Sequence, residues 1–209
     1  MKKNLTELVF ILDKSGSMCG LEGDVVGGYN ALLKENREME GEAIVSTVLF
    51  DGTVKVVHDR VDVDEVEPLG MREYRPGGCT ALLDAVGGAI HHMETVFKIL
   101  PDECRPEHVL FAITTDGLEN ASTEYSYPRV KRMIGAARER GWEFLFLGAN
   151  IDVAAGAGRL GISPECAACY EATPDGMALA FSEIQEASAR VRGGKGIRSR
   201  RHPAYSSQS

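Results

Sequence analysis

The chain has 209 residues, of which 26% are charged and 44% hydrophobic, the balance of a soluble protein with one larger domain. A chain of this length buries roughly 70% of its unfolded surface, so it can fold without disulfides or structural zinc. No apolar run approaches the about 20 residues of a membrane span. The run from Leu8 to Leu12 follows two lysines but is short and lacks a small-residue cleavage site, which argues against an export signal. We therefore expect a cytoplasmic protein whose cysteines are reduced thiols.

The net charge of −8 is unevenly distributed along the chain. Residues 1–192 contain 19 basic and 31 acidic residues, whereas residues 193–209 contain basic residues and no acid. An acidic body argues against nucleic acid as its main partner and suits a divalent cation or a basic protein surface. The sequence predicts a folded domain over 1–192 and a disordered tail over 193–209, which could contact nucleic acid, anionic lipid or an acidic neighbour. The basic residues of this tail are Lys195, Arg198, Arg200 and Arg201.

Short apolar runs alternate with amphipathic stretches along the whole domain. Leu8–Leu12 is apolar throughout, which is typical of a strand buried on both faces. Asp51-Gly52 separates two β-prone runs and predicts a two-residue hairpin, so the third strand should run antiparallel to the second. The predicted strands are Leu8–Leu12, Ala43–Phe50, Thr53–His58, His108–Thr115, Glu143–Leu147 and Cys169–Glu171, and the predicted helices lie near 25–33, 82–97, 127–140, 152–160 and 177–191.

This alternation predicts an α/β doubly wound sheet, mostly parallel and six-stranded, with one antiparallel edge strand and helices on both faces. Ligands of such sheets bind at the carboxyl ends of the strands. Asp13 and Asp116 each follow a predicted strand and belong to that edge. The connection over 59–79 must return the chain to the same edge before the next helix begins, which brings Thr80 there as well.

Asp13-Lys-Ser15-Gly-Ser17 matches the pattern D-x-S-x-S at the end of a strand. Chance alone would give roughly 0.04 matches in a chain of this composition, before any structural context is required. Thr80 and Asp116 add a hydroxyl and a second carboxylate at the same edge. Hydroxyl and carboxylate oxygens are the ligands that hard divalent cations prefer, so the five residues predict a metal site. An Asp and a Ser that merely cap a turn and a helix start are the alternative explanation.

In these residues the sequence resembles the von Willebrand factor A family, over roughly 5–192. The metal-ion-dependent adhesion site of that family consists of D-x-S-x-S, a distant Thr and a distant Asp, and all of its positions match here. The segments Asp13–Met18, Gly27–Asn30 and Thr115–Ala121 are similar to those of stand-alone bacterial or phage members. The matching site residues are Asp13, Ser15, Ser17, Thr80 and Asp116.

The resemblance implies a protein-binding module and no enzyme. It implies that Ser15, Ser17 and Thr80 bind Mg²⁺ directly, while Asp13 and Asp116 act largely through water. An ion without a direct carboxylate ligand stays electron-poor, so an Asp or Glu of a partner protein could complete its coordination. Oxygen ligands also accept Mn²⁺ and Ca²⁺, so the sequence leaves the choice of ion open.

A metal-dependent hydrolase or phosphatase on the same scaffold is the main alternative function. A phosphatase with an aspartyl nucleophile would want a second carboxylate two residues later, where Ser15 stands. A metal-activated water would want a general base, for which Glu119 is the obvious candidate in the Asp116 loop.

Three further motifs are weaker. Gly156–Gly161 fits G-x-G-x-x-G but lies within a helical pattern, so we interpret it as close helix packing and not as a dinucleotide fingerprint. Cys166-Ala-Ala-Cys169 lacks the two further ligands that zinc requires. Cys19 and Cys79 flank the predicted metal loops, which suggests redox control of the site as a hypothesis.

Overall fold

A computed structural model describes residues 1–197. The predicted tail falls mostly outside the described residues, and so do Arg198, Arg200 and Arg201. The strands are β1 Lys2–Asp13, β2 Glu42–Phe50, β3 Val54–Asp62, β4 Pro106–Thr115, β5 Glu143–Gly148 and β6 Ala167–Cys169. The α-helices are α1 Glu22–Arg37, α2 Leu82–Ile99, α3 Tyr127–Glu139, α4 Val153–Leu160 and α5 Pro174–Arg192.

The six strands form one sheet in the order β3-β2-β1-β4-β5-β6. Neighbouring strands are parallel, except that β3 pairs antiparallel with β2 at one edge. The predicted fold class is therefore confirmed. The chain first adds β2 and β3 on one side of β1, and then adds β4, β5 and β6 on the other side. The strand order therefore reverses between β1 and β4. Such a switch point opens a crevice at the carboxyl ends of its two central strands.

Period-two alternation along β1 supplies both hydrophobic layers. Leu8, Phe10 and Leu12 pack towards α1 and α5 on one face. Val9 and Ile11 pack towards α2, α3 and α4 on the other face. All five side chains are at most 1% exposed, so the central strand is covered on both faces, as its uninterrupted apolar run predicts.

Three elements differ from their sequence-based predictions. β1 has 12 residues where five were predicted, because its polar first half pairs with the starts of β2 and β4. The hairpin loop has three residues and not two: Phe50 pairs with Val54, and the Asp51 carboxylate accepts hydrogen bonds from the backbone and hydroxyl of Thr53. β6 ends at Cys169 where the predicted strand began, since Ala167 already pairs with β5.

The chain remains in contact with the domain beyond the predicted boundary at 192. Ile197 is only 5% exposed and joins the core on the α1 and α5 face. The Arg190 guanidinium donates to the carbonyl of Gly196 at 2.9 and 3.0 Å. The first residues of the predicted tail thus pack against α5.

Candidate metal centre

The loop after β1 brings three of the predicted site residues together. Asp13 ends β1, and its Oδ1 accepts a hydrogen bond from the backbone N–H of Ser15 at 2.7 Å. A 3-10 turn over Gly16–Met18 then folds the chain, so the hydroxyl oxygens of Ser15 and Ser17 lie 3.2 Å apart. Met18 is 1% exposed and anchors this turn in the core. The alternating serines of the motif therefore present two hydroxyls to the same side of the loop.

The segment before α2 is fixed against this loop by backbone hydrogen bonds. The N–H of Gly77 donates to the carbonyl of Lys14 at 2.9 Å, and the N–H of Gly16 donates to the carbonyl of Gly78 at 3.2 Å. Gly78 has φ +71°, a conformation that favours glycine. Thr80 follows two residues later and is 3% exposed. The Gly-Gly pair thus allows the chain to pass close to the Lys14 loop and positions Thr80 beside it.

The third segment follows β4. Asp116 Oδ1 accepts a hydrogen bond from the Ser17 hydroxyl at 2.6 Å and lies 3.4 Å from the Ser15 hydroxyl. The backbone N–H of Asp116 lies 3.4 Å from Oδ2 of Asp13. Because β1 and β4 are neighbours, the two aspartates at their ends meet at the switch point of the sheet. The fold therefore unites residues that are more than 100 positions apart.

The pocket between these hydroxyls fits a hard cation in two respects. Asp116 Oδ2 is buried and has no hydrogen-bond partner, which is uncommon for a buried carboxylate oxygen. Gly117 borders the same space: a Cβ added there would lie 3.2 Å from the Thr80 hydroxyl and 3.8 Å from the Ser17 hydroxyl. Because residue 117 is a glycine, no side chain fills the space beside these two hydroxyls. The oxygens present suit Mg²⁺, Mn²⁺ or Ca²⁺.

Two buried carboxylates face each other here with little positive charge to balance them. Burial raises the pKa of Asp13, and the nearby Asp116 carboxylate adds to the rise, against hydrogen bonds from Ser15 and from Thr115 that lower it. Lys14 lies within the motif, but its ammonium group pairs with Asp51. A bound cation would supply the missing charge.

The sequence analysis missed three residues that shape the centre. The Thr115 hydroxyl donates to Asp13 Oδ2 at 2.8 Å, and the Tyr74 hydroxyl donates to the Asp13 carbonyl at 2.6 Å. Asn120 forms hydrogen bonds with Thr80 in both directions. Thr115 could have been suspected as the neighbour of Asp116. No local signal marks Tyr74 or Asn120, because their contacts depend on how distant loops meet.

Glu119 has a structural role. Its Oε1 accepts from the N–H groups of Ala121 and Ser122 at 2.9 and 2.8 Å. Its Oε2 accepts from the N–H of Leu83 at 2.8 Å and from the hydroxyl of Ser122 at 2.7 Å. A carboxylate with four donors in place caps α2 and is poorly suited to accept a proton from water.

The remaining motifs have structural explanations within residues 1–197. Gly156 and Gly158 lie inside α4 and Gly161 ends it with φ +79°, so the glycine pattern does not join a strand to a helix. All five cysteines are free. In this part of the chain, no group of three or more His, Cys, Asp or Glu side chains is placed to share a metal ion, which argues against zinc at Cys166 and Cys169.

The fold of this chain is that of von Willebrand factor A domains. No protein-family model and no curated protein matches the chain. Among solved structures, the vWF domain of the type V pili tip protein Mfa5 from Porphyromonas gingivalis has a TM-score of 0.62 at 12% identity, and the match covers 87% of this chain and 94% of that one. At such identities the likeness shows the fold alone.

Two other similar structures are described with a metal. Proximal thread matrix protein 1 from the mussel byssus, with a zinc-occupied MIDAS motif, has a TM-score of 0.59 at 14% identity and matches 88% of this chain and 46% of its own. Manganese-loaded TRAP from Plasmodium vivax has a TM-score of 0.58 at 14% identity, and the match covers 87% of this chain and 73% of that one. This chain thus spans less than half of the mussel protein. In the described range, no helix is both long and apolar enough to cross a membrane.

Proposed function

We propose that this chain is a member of the von Willebrand factor A family that binds a protein partner through a divalent cation. We base this on the hydroxyls of Ser15 and Ser17, which lie 3.2 Å apart beside a buried Asp116 oxygen that lacks a partner. The domain responsible is 1–192. The metal residues are Asp13, Ser15, Ser17, Thr80 and Asp116.

In this proposal Ser15, Ser17 and Thr80 hold the ion directly, and the two aspartates hold its water ligands and orient the hydroxyls. Asp13 already accepts from the Ser15 backbone and the Thr115 hydroxyl, so its carboxylate cannot rotate freely. The bound ion would supply a Lewis-acidic position that an Asp or Glu of the partner can occupy. Mg²⁺ is the expected ion, with Mn²⁺ and Ca²⁺ as alternatives.

Binding is favoured over hydrolysis because Glu119, the candidate general base of the Asp116 loop, is already engaged. Both oxygens of Glu119 are occupied by the donors that close its loop onto α2. The position two residues after Asp13 carries Ser15, so a second nucleophile-assisting carboxylate is missing from the motif. We therefore assign no catalytic residue.

The partner is a protein, and we expect neither nucleic acid nor a membrane span. The acidic composition of 1–192 suits a cation-mediated contact. We place the protein in the cytoplasm, within an intracellular assembly, and among bacterial or phage members of the family.

Calorimetric titration of Mg²⁺ and Mn²⁺ into the metal-stripped full chain tests the proposal. Wild type should bind one ion, and Asp13→Ala or Asp116→Ala should abolish binding. Loss of a single hydroxyl at Ser15, Ser17 or Thr80 should weaken binding less. Added acetate should tighten metal binding if a coordination position is open. Equal affinity in wild type and Asp13→Ala would refute the proposed centre.

A further inference from the structure

An exposed leucine stands next to the candidate metal centre. Leu118 is 64% exposed and lies two residues after Asp116. Consecutive Cα atoms are about 3.8 Å apart, so the Leu118 backbone lies within roughly 8 Å of that of Asp116. An isolated exposed leucine is ordinary on a protein surface. This one differs because it follows Gly117, which borders the Thr80 and Ser17 hydroxyls of the candidate metal centre.

The backbone on both sides of Leu118 is fixed. On one side, the backbone N–H of Gly117 donates to the Thr115 hydroxyl at 3.4 Å. On the other side, the N–H of Asn120 donates to the Thr80 carbonyl at 3.0 Å. Moving Leu118 towards the core would break these contacts. Its exposed position is therefore pre-organised, which lowers the entropic cost of binding a partner there.

The segment around Tyr74 also carries an exposed apolar side chain. Met71 is 54% exposed and lies three residues before Tyr74, whose hydroxyl holds the Asp13 carbonyl. Arg72 and Arg75 in the same segment are exposed. Residues 71–75 contain these two arginines and one glutamate, so in a chain of net charge −8 this segment is locally positive and favours an acidic partner.

We infer that the edge recognises an acidic protein segment in which a large apolar residue adjoins the Asp or Glu that binds the cation, and that this residue packs on Leu118. This inference rests on the proposed function and adds a specificity to it. The cation binds the carboxylate of the partner, and Leu118 favours partners in which an apolar residue lies next to that Asp or Glu. Carboxylates with polar or glycine neighbours would bind at the ion but gain nothing from the leucine.

The gain can be measured with two short peptides. Partial burial of two leucine side chains against each other corresponds to about a tenfold gain in affinity. We would load the full chain with Mn²⁺ and titrate acetyl-Gly-Glu-Gly-amide and acetyl-Leu-Glu-Leu-amide. Wild type should bind the leucine peptide about tenfold more tightly than the glycine peptide. Leu118→Ala should reduce this ratio to about twofold or less, with Mn²⁺ affinity unchanged.

Leu179→Ala is the matched control, because Leu179 is 53% exposed but lies on α5. It should keep the wild-type ratio. Equal affinity for both peptides in wild type, or a ratio that survives in Leu118→Ala, would overturn the inference while leaving the metal centre intact. Failure to bind Mn²⁺, or failure of both peptides to bind the loaded protein, would remove the proposed function and this inference together.

Discussion

Thr80 and Asn120 hydrogen-bond each other in both directions. The N–H of Thr80 donates to Asn120 Oδ1 at 2.8 Å, and the N–H of Asn120 donates to the Thr80 carbonyl at 3.0 Å. Two of the three segments of the candidate metal centre are thereby joined outside the centre itself. The loop that follows Asp116 should therefore hold Thr80 at a fixed position.

Asn120→Ala should weaken Mn²⁺ binding although Asn120 is not a proposed ligand. Loss of a residue that orients a ligand commonly costs about tenfold or more in metal affinity. Calorimetry on the metal-stripped protein would measure the change. Thr123→Ala, an exposed position in the same loop, is the control and should bind as wild type does. Unchanged affinity in Asn120→Ala would show that the centre does not depend on this link.

Gly87→Ala and Gly88→Ala should act in opposite directions. A Cβ at Gly87 would lie 2.3 Å from the Tyr125 ring, so the ring and its loop must move, whereas a Cβ at Gly88 meets nothing within 4 Å. We expect Gly87→Ala to lower the free energy of unfolding by about 1–3 kcal/mol and to weaken metal binding. Gly88→Ala should stabilise the helix by about 0.5–1 kcal/mol. Urea unfolding and Mn²⁺ titration of both variants test this prediction. Equal changes in the free energy of unfolding for the two variants would contradict it.

Glu7 is a buried carboxyl at the centre of the sheet. Burial raises its pKa from 4.5 to about 7, although Arg60 lies 3.0 Å from its Oε2 and opposes the rise. Between pH 4.5 and about 7, the folded chain therefore retains a proton at Glu7 that the unfolded chain has already lost. Stability from this proton is complete below pH 4.5 and is lost as the pH rises through 7.

Glu7→Gln should flatten this pH dependence. We expect the free energy of unfolding of the metal-free wild type to fall between pH 4.5 and about 7, with a contribution from Glu7 on the order of 3 kcal/mol. Urea unfolding at several pH values would give the slope of the free energy of unfolding against pH for wild type and for Glu7→Gln. Glu42→Gln on β2, which removes an exposed carboxylate from a neighbouring strand, is the control variant. Parallel curves for wild type and Glu7→Gln would contradict the assignment.

Truncation after Arg192 and truncation after Ile197 should differ in stability but not in metal affinity. Ile197 is 5% exposed in the core, and burial of an isoleucine contributes about 1.5–3 kcal/mol. The shorter chain should therefore melt at a lower temperature. It should still bind Mn²⁺, because the candidate metal centre lies at the carboxyl ends of the strands and Ile197 packs at their other ends. Equal melting temperatures would show that Ile197 adds nothing, and loss of metal binding would contradict a domain that ends at 192.

Interactions between segments explain most of what the sequence analysis did not predict. His58 is 8% exposed, and its Nδ1 lies 3.0 Å from the Thr47 hydroxyl. Tyr29 completes this group, with its hydroxyl 2.5 Å from that of Thr47. Arg60 reaches Glu7 because a bulge in β3 places two residues opposite Ser46. Bulges and buried polar groups depend on the register of neighbouring strands, which hydrophobic periodicity does not report.

The sequence by itself determined the order of strands and helices, the antiparallel third strand and the three segments expected at the carboxyl edge. Local patterns suffice for these, since apolar periodicity and turn residues act over a few positions. Only the tertiary structure decided that the Ser17 hydroxyl meets Asp116, that Tyr74 and Asn120 support the centre, and that Glu119 caps α2. These contacts form because the switch point brings loops from β1, α2 and β4 together, and their geometry depends on how the loops pack against one another.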